Sequence, residues 1–432
     1  MAKQKSKGAG RSSTKRTPTK PTPEQPPAGY PPPDVERVMA DHESSGLRPE
    51  LLIAQQRLNE ILFDAKNWEM AHAGKRPGMV GPTNFLGSYI GTKRIGGRST
   101  GKWALVVMVR RKVRDERRVP AGAMIPKRIV VEYAGKSYIV PVDVVEVGQT
   151  GTRDNWNDDV DLLEGFNVFE NPALCGTTIS PTTGPALSGT FGAVVTNANN
   201  DRFILSNNHV LAGVRGTFGG TKTGLPDGTP IGHPGQRDLT DDHPNQLTVG
   251  TLTKVVPLIL LSPGSGPSPG VINTVDAAIA KTDMNGLDYE FHGVGGEEEI
   301  LGQPGVPTNN MLVKKAGRTT GFTEGRVTGI HAQHGPIGYN AVNPNTGQLI
   351  SAEAFFSDVF VIEGTDPGRP FSWFGDSGSV IRAQDDGRGV GLLFAGSSSG
   401  PFGASSVTFA IPIKTVFAAF GLTQFVNFLT PT

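Results

Sequence analysis

Apolar residues recur at spacings of three and four through Leu51, Ala54, Leu58, Ile61, Leu62, Ala65 and Trp68. That period predicts one amphipathic helix with a core-facing stripe. Pro49 suits its first turn, and Gly74 with Pro77 supplies the stop. From about residue 86 to 148 the pattern becomes strand-like. Trp103–Val113, Ile129–Tyr133 and Ser137–Val147 are rich in β-branched residues and break at Ala134-Gly135. Helix and strands together predict a small α/β N-terminal domain over 46–150. The stretch 151–172 has weak patterning and an excess of acids, and is expected to be a linker. From Ala173 to about residue 425, short apolar runs alternate with Gly/Pro turns. Gly192–Val195, Phe203–Leu205, Asp276–Ala280, Leu312–Lys314, Arg326–Ile330, Phe356–Ile362, Ser379–Ile381, Gly389–Ala395 and Val407–Ile413 are the strand candidates. Such a series predicts an all-β sandwich or barrel over 173–425, with 426–432 as a short tail.

Composition sharpens this picture. Gly and Pro make up about a fifth of the 432 residues, which favours short strands and turns over a helical bundle. The lone cysteine, Cys175, excludes a disulfide within the chain and any cysteine-rich zinc site. No apolar run is long enough to span a bilayer, and the basic N-terminus has no apolar stretch behind it as a secretory signal would. A cytoplasmic protein with no membrane contact is expected. The net charge of +1 hides a segregation: Lys3, Lys5, Lys7, Arg11, Lys15, Arg16 and Lys20 stand without an acid, leaving the remainder net acidic. Residues 1–45 have too little apolar surface to offset their ordering entropy and are expected to be a disordered solubilising tail. A second basic stretch, 93–136, lacks interleaved aromatics for base stacking, so nucleic acid is not the indicated partner.

Three strings carry chemistry. Leu205-Ser206-Asn207-Asn208-His209-Val210 delivers a histidine at a strand end. Val275-Asp276-Ala277-Ala278-Ile279-Ala280 places an acid before small and apolar residues. Gly375-Asp376-Ser377-Gly378-Ser379 sets a serine in a glycine-flanked turn. A serine hydroxyl is a weak nucleophile and needs a base within reach. An imidazole can take the proton, and a buried carboxylate can fix its tautomer. Backbone N–H groups must face the developing oxyanion. His209, Asp276 and Ser377 suit the first three roles, and the N–H groups of Gly375 and Ser377 the last. No cofactor and no metal are called for.

The order His, Asp, Ser, with "SNNHV", "VDAAIA" and "GDSGS", resembles the trypsin/chymotrypsin-like serine peptidases over about 173–425. Lys315-Ala316-Gly317-Arg318-Thr319-Thr320-Gly321 and Phe409-Ala410-Ile411-Pro412-Ile413 add to the likeness. With the upstream region ending in "PVDVVEVG", the chain is similar to the trypsin-like proteins related to the plant NARROW LEAF 1 protein and their bacterial counterparts. The resemblance implies two six-stranded antiparallel β-barrels with the triad in the cleft between them. It implies a serine endopeptidase acting on a polypeptide substrate. It places Phe371 at the base of the primary specificity pocket, Ser372 beside it, and Phe394-Ala395-Gly396 as the opposite wall. With no acid at the base, a buried Lys or Arg would lack a partner, and an apolar or small residue before the cut is expected. No "IVGG"-like start stands near Ala173, so Asp376 is expected to accept hydrogen bonds or meet an internal Arg, and cleavage is not expected to be needed for activity.

Two other readings stand beside the enzyme. One is a catalytically silent or gated scaffold that binds protein partners. The other, compatible with catalysis, is a homo-oligomer assembled through the N-terminal domain. His331 and His334, and Asp241-Asp242-His243, are metal candidates that fit surface loops better. Cys175 reads as a buried small residue, and Arg318, Thr319 and Thr320 as hairpin residues.

Overall fold

Asp34 opens the first helix, α1 (Val35–Asp41), by accepting the N–H of Arg37 at 3.0 Å. Val38 on its inner face is buried. Residues 35–41 therefore leave the expected disordered tail: an N-cap and apolar groups at 35, 38 and 39 give this stretch a docking face that composition averages hide. The computed structural model describes residues 33–42, 46–63, 84–95, 98–113, 115, 117, 119, 124–152, 165–292, 298–299, 301–397 and 406–426. The expectations for residues 1–32, Trp68, Gly74, Pro77, residues 153–164 and residues 427–432 lie outside the described residues.

Helix α2 (Pro49–Leu62) buries Leu51, Leu52, Ala54, Leu58 and Leu62, whereas Ile61 is exposed. Gln55 and Asn59, one turn apart, are buried on the same helix. Gln55 Nε2 donates to the carbonyls of Ser88 and His331, each at 3.0 Å. Asn59 accepts from Ser88 Oγ at 2.8 Å and bonds Gln333. The helix docks through a polar seam as well as an apolar stripe, and the seam satisfies backbone groups that burial would otherwise strand.

Strands β1 (Phe85–Ile95), β2 (Arg98–Val109), β3 (Arg128–Tyr133) and β4 (Lys136–Glu146) lie in the order β1-β2-β4-β3. Ala134 and Gly135, with φ of 49° and 73°, make the two-residue turn between β3 and β4. A short strand, β5 (Thr150–Thr152), follows.

Twelve of the later strands form two groups of six. The first is β6 (Thr178–Pro181), β7 (Ala193–Asn197), β8 (Arg202–Ser206), β9 (Pro230–His233), β10 (Leu247–Val255) and β11 (Ala278–Lys281). They are ordered β7-β8-β11-β10-β9-β6. The second is β12 (Leu312–Lys315), β13 (Thr323–Val342), β14 (Leu349–Gly364), β15 (Val380–Ala383), β16 (Gly389–Ser397) and β17 (Val407–Pro412). Their order is β13-β14-β17-β16-β15-β12, and β12 pairs β13 to close the ring. Counted within each group, the order is the same: two, three, six, five, four, one. The chain is thus mostly β, with the chymotrypsin-like arrangement of two antiparallel barrels.

β1 pairs antiparallel with β13, with Gly87 opposite His334 and Gly91 opposite Gly329. A Cβ on Gly87 would lie 1.9 Å from the Gln333 carbonyl oxygen, so only glycine admits this approach. The N-terminal strands and the second barrel therefore share one sheet. Leu51, Leu58, Leu105 and Val107 also share an apolar cluster with Val327, Ile362 and Leu393. At the C-terminus, helix α3 (Ile413–Phe420) ends on Gly421 at φ 70°, and Leu422–Phe425 pairs with β7 of the first barrel.

Candidate active site

Strand β8 ends at Ser206, and a single helical turn, 208–211, carries His209. Each polar residue before the histidine anchors that turn. Ser206 Oγ donates to the Thr190 carbonyl at 2.8 Å. Asn207 Nδ2 donates to the Asp276 carbonyl at 2.7 Å, and Asn208 Nδ2 to the carbonyls of Arg215 and Val256 at 2.7 and 2.8 Å. The string is polar because it bonds buried backbone, a demand that outweighs apolar packing here.

The structure brings His209 and Asp276 together. His209 Nδ1 lies 2.6 Å from Asp276 Oδ2, and the His209 N–H donates to Oδ1 at 3.3 Å. Both side chains are fully buried. Tyr339 Oη donates to the same Oδ2 at 2.8 Å, with its ring edge-on to the imidazole at 5.9 Å. A carboxylate accepting from Nδ1–H leaves the lone pair on Nε2, where a base needs it. Nothing in the sequence marked Tyr339, which lies 63 residues from Asp276.

The serine turn is held by residues that also neighbour the histidine turn. Thr190 N–H donates to the Ser377 carbonyl at 2.8 Å, and Thr190 Oγ1 to the Gly375 carbonyl at 2.9 Å. A Cβ on Gly189 would fall within 2.6 Å of both Val210 methyls and 3.1 Å from the Ser377 oxygen. Gly189 thus lies between the residue after the histidine and the serine itself. A Cβ on Gly378 would fall 2.1 Å from Ser206 Oγ. Ser377 Oγ donates to the Phe394 carbonyl at 3.3 Å. The hydrogen bonds that hold the turn use the N–H groups of Asp376 and Ser379, within it, and of Gly378, to the Leu393 carbonyl. Those of Gly375, at φ 98°, and Ser377 take no part in them among the described residues.

Asp376 is fully buried and accepts from Thr319 N (2.9 Å), Thr320 N (3.1 Å), Thr320 Oγ1 (2.7 Å) and Trp373 N (2.8 Å). Its cation is Lys315, at 3.5 Å and also fully buried, rather than the arginine that was the alternative. Burial pushes the Lys315 ammonium down to about 8, against the upward pull of Asp376. Thr319 and Thr320 therefore serve the serine turn and not only their hairpin. Arg318 pairs with Asp238, with Nε 2.8 Å from Oδ2, and its Nη1 lies 2.5 Å from where a Cβ on Gly375 would fall.

Of the pocket candidates, Phe371 is buried, with Lys315 Nζ 6.0 Å from its ring centroid. Ser372 Oγ lies 2.6 Å from Thr408 Oγ1, and Thr408 pairs with Gly396 across β16 and β17. Phe394 packs its ring on Phe356 at 4.7 Å. His331 bonds Asp358 at 2.5 Å, and His334 bonds the Leu86 carbonyl at 3.0 Å. Burial holds His334 down at about 3, so it stays neutral. His243 stacks on Phe169. Among the described residues no cluster of three His, Cys, Asp or Glu side chains could hold a metal. Cys175 is buried beside the carbonyls of Asp288 and Tyr289, and burial pushes its thiol far up. Among the described residues no helix is long and apolar enough to cross a membrane.

No family model and no curated protein matches the sequence. Solved structures do. Thermobifida fusca Protease A is 14% identical at a TM-score of 0.36, covering 59% of this chain and 100% of its own. Nocardiopsis protease is 14% identical at 0.37, covering 59% and 98%. Cellulomonas bogoriensis chymotrypsin is 15% identical at 0.35, covering 59% and 97%. The fold assignment rests on the repeated strand order.

Proposed function

We propose that the chain is a serine endopeptidase that hydrolyses polypeptides, with Ser377 as nucleophile, His209 as base and Asp276 as its orienting carboxylate. The observation that carries this reading is the buried 2.6 Å pair of His209 and Asp276, with Ser206 and Val210 on either side of the histidine lying close to Gly378 and Gly189 around Ser377. In the reaction, the Ser377 hydroxyl leaves the Phe394 carbonyl, passes its proton to His209 Nε2 and attacks the scissile carbonyl. His209 then protonates the leaving amine, and water repeats the sequence on the acyl-enzyme. The N–H groups of Gly375 and Ser377 stabilise the oxyanion, each worth about 10²–10³ in rate.

Phe371, Ser372, Phe394 and Gly396 form the specificity pocket, and an apolar or small residue precedes the cut. The upstream region ending in "PVDVVEVG" supports placement near the NARROW LEAF 1-like proteins; the chain acts in the cytoplasm as a homo-oligomer formed through the N-terminal domain. The test is cleavage of an unfolded polypeptide, with sequencing of the new N-termini. Wild type should cut and Ser377→Ala should not; equal cutting by both contradicts the assignment.

A further inference from the structure

Strand β16 has two neighbours on the side facing the nucleophile. The first is β15, the strand that follows Ser377, with Val380 opposite Leu392 and Ile381 opposite Gly391. Next along that side, Gly378 N–H donates to the Leu393 carbonyl and Ser377 Oγ to the Phe394 carbonyl. Beyond Phe394 the chain's own β5 takes over. Thr152 lies opposite Ala395, Gly151 opposite Gly396 and Thr150 opposite Ser397, antiparallel. Gly151 also pairs in parallel with Gly338 of β13. Thr150 Oγ1 donates to the Pro336 carbonyl at 3.2 Å and Thr152 Oγ1 to the Gly338 carbonyl at 3.4 Å. Thr152 is buried.

The direction matters. An antiparallel strand on 395–397 runs toward Phe394, so β5 enters from its N-terminal side and leaves Thr152 heading for Ser377. An extended peptide that adds to this edge gains main-chain hydrogen bonds. It also arrives with the polarity that presents its next peptide bond to the serine. The edge that would take such a peptide is filled by the protein itself.

Resting on the peptidase reading above, we propose that Thr150–Thr152 is an internal competitor for the substrate edge, and that a polypeptide must displace it to reach Ser377. This separates two requirements. The Lys315–Asp376 pair supports the serine turn without any new N-terminus. Access depends on releasing β5, by displacement and not necessarily by cutting.

The test uses the full chain and two variants, Gly151→Pro and Thr152→Asp. Proline cannot donate to the ladder, and among the described residues, its two chain neighbours aside, no atom lies within 4 Å of a Cβ at 151. An aspartate at 152 buries a charge without a partner. Amide exchange at 396 and 397 reports release of the edge. Labelling of Ser377 by a fluorophosphonate and cleavage of reduced, carboxymethylated casein report access. The expected result is faster exchange with labelling and cleavage each raised about tenfold in both variants. Faster exchange with unchanged rates overturns the proposal, and so does unchanged exchange in both variants. Absence of labelling in every form fails the peptidase reading instead, and the competitor with it.

Discussion

Tyr339 Oη and His209 Nδ1 converge on one oxygen, Asp276 Oδ2, at 2.8 and 2.6 Å. The tyrosine comes from the long hairpin of the second barrel, whereas the histidine and aspartate belong to the first. One hydrogen bond therefore ties the orienting carboxylate across the seam.

Tyr339→Phe removes that bond and little else. A hydrogen bond to a charged group contributes about 1.5–3 kcal/mol. We expect kcat to fall about tenfold or more with KM nearly unchanged. Steady-state kinetics on a peptide substrate checks this; an unchanged kcat would show that the carboxylate is held well enough by His209 and backbone.

Lys315→Met separates the serine turn from its cation. The folded-state value of about 8 lies below the ordinary 10.5. Between about 8 and 10.5 the unfolded chain therefore binds more protons, so this group adds stability as pH rises through that window and loses it as pH falls toward 8. Activity should run the other way: as Lys315 loses its proton, Asp376 loses its cation. Relative to Lys315→Met, the wild-type thermal midpoint should rise from pH 8 to 10 while wild-type kcat falls. The variant should be less active at pH 7 and show no alkaline step near 8. A wild-type alkaline step that survives the substitution assigns it to another group.

Much of the site was legible because it is built from local strings. "SNNHV", "VDAAIA" and "GDSGS" mark His209, Asp276 and Ser377 as candidates, and their turn residues must be polar or glycine for backbone reasons. What the strings could not give were the residues that converge only in space. Tyr339 sits among ordinary strand residues, and Lys315 stands only as the first residue of the Lys315–Gly321 string until it is found fully buried. Within the two six-stranded groups the strand candidates all fall within strands or their ends, yet β6, β9 and β10 went unmarked. Thr-Ile-Ser-Pro and Pro-Ile-Gly-His carry too few β-branched residues to stand out, and their pairing partners supply the order. The continuity of β1 with β13 was also hidden, since register between distant strands leaves no local signal.

Thr190 offers a further test of the seam. Its Oγ1 donates to the Gly375 carbonyl and accepts the Arg318 N–H at 3.1 Å. Thr190→Val keeps the shape and leaves both partners unsatisfied, at about 1–3 kcal/mol each. We expect a lower thermal midpoint and a fall in kcat about tenfold or greater, because Thr190 fixes the carbonyl of Gly375, the residue proposed to donate its N–H to the oxyanion. Calorimetry with kinetics decides; a stability loss with kcat intact would limit Thr190 to a structural role.

The most direct measurement is the second-order rate at which a fluorophosphonate modifies the intact chain, read by mass spectrometry. The account predicts one adduct on Ser377, absent in Ser377→Ala and slowed at least a hundredfold in His209→Ala. No adduct on the wild-type chain, or an adduct formed at undiminished speed without the imidazole, would contradict it.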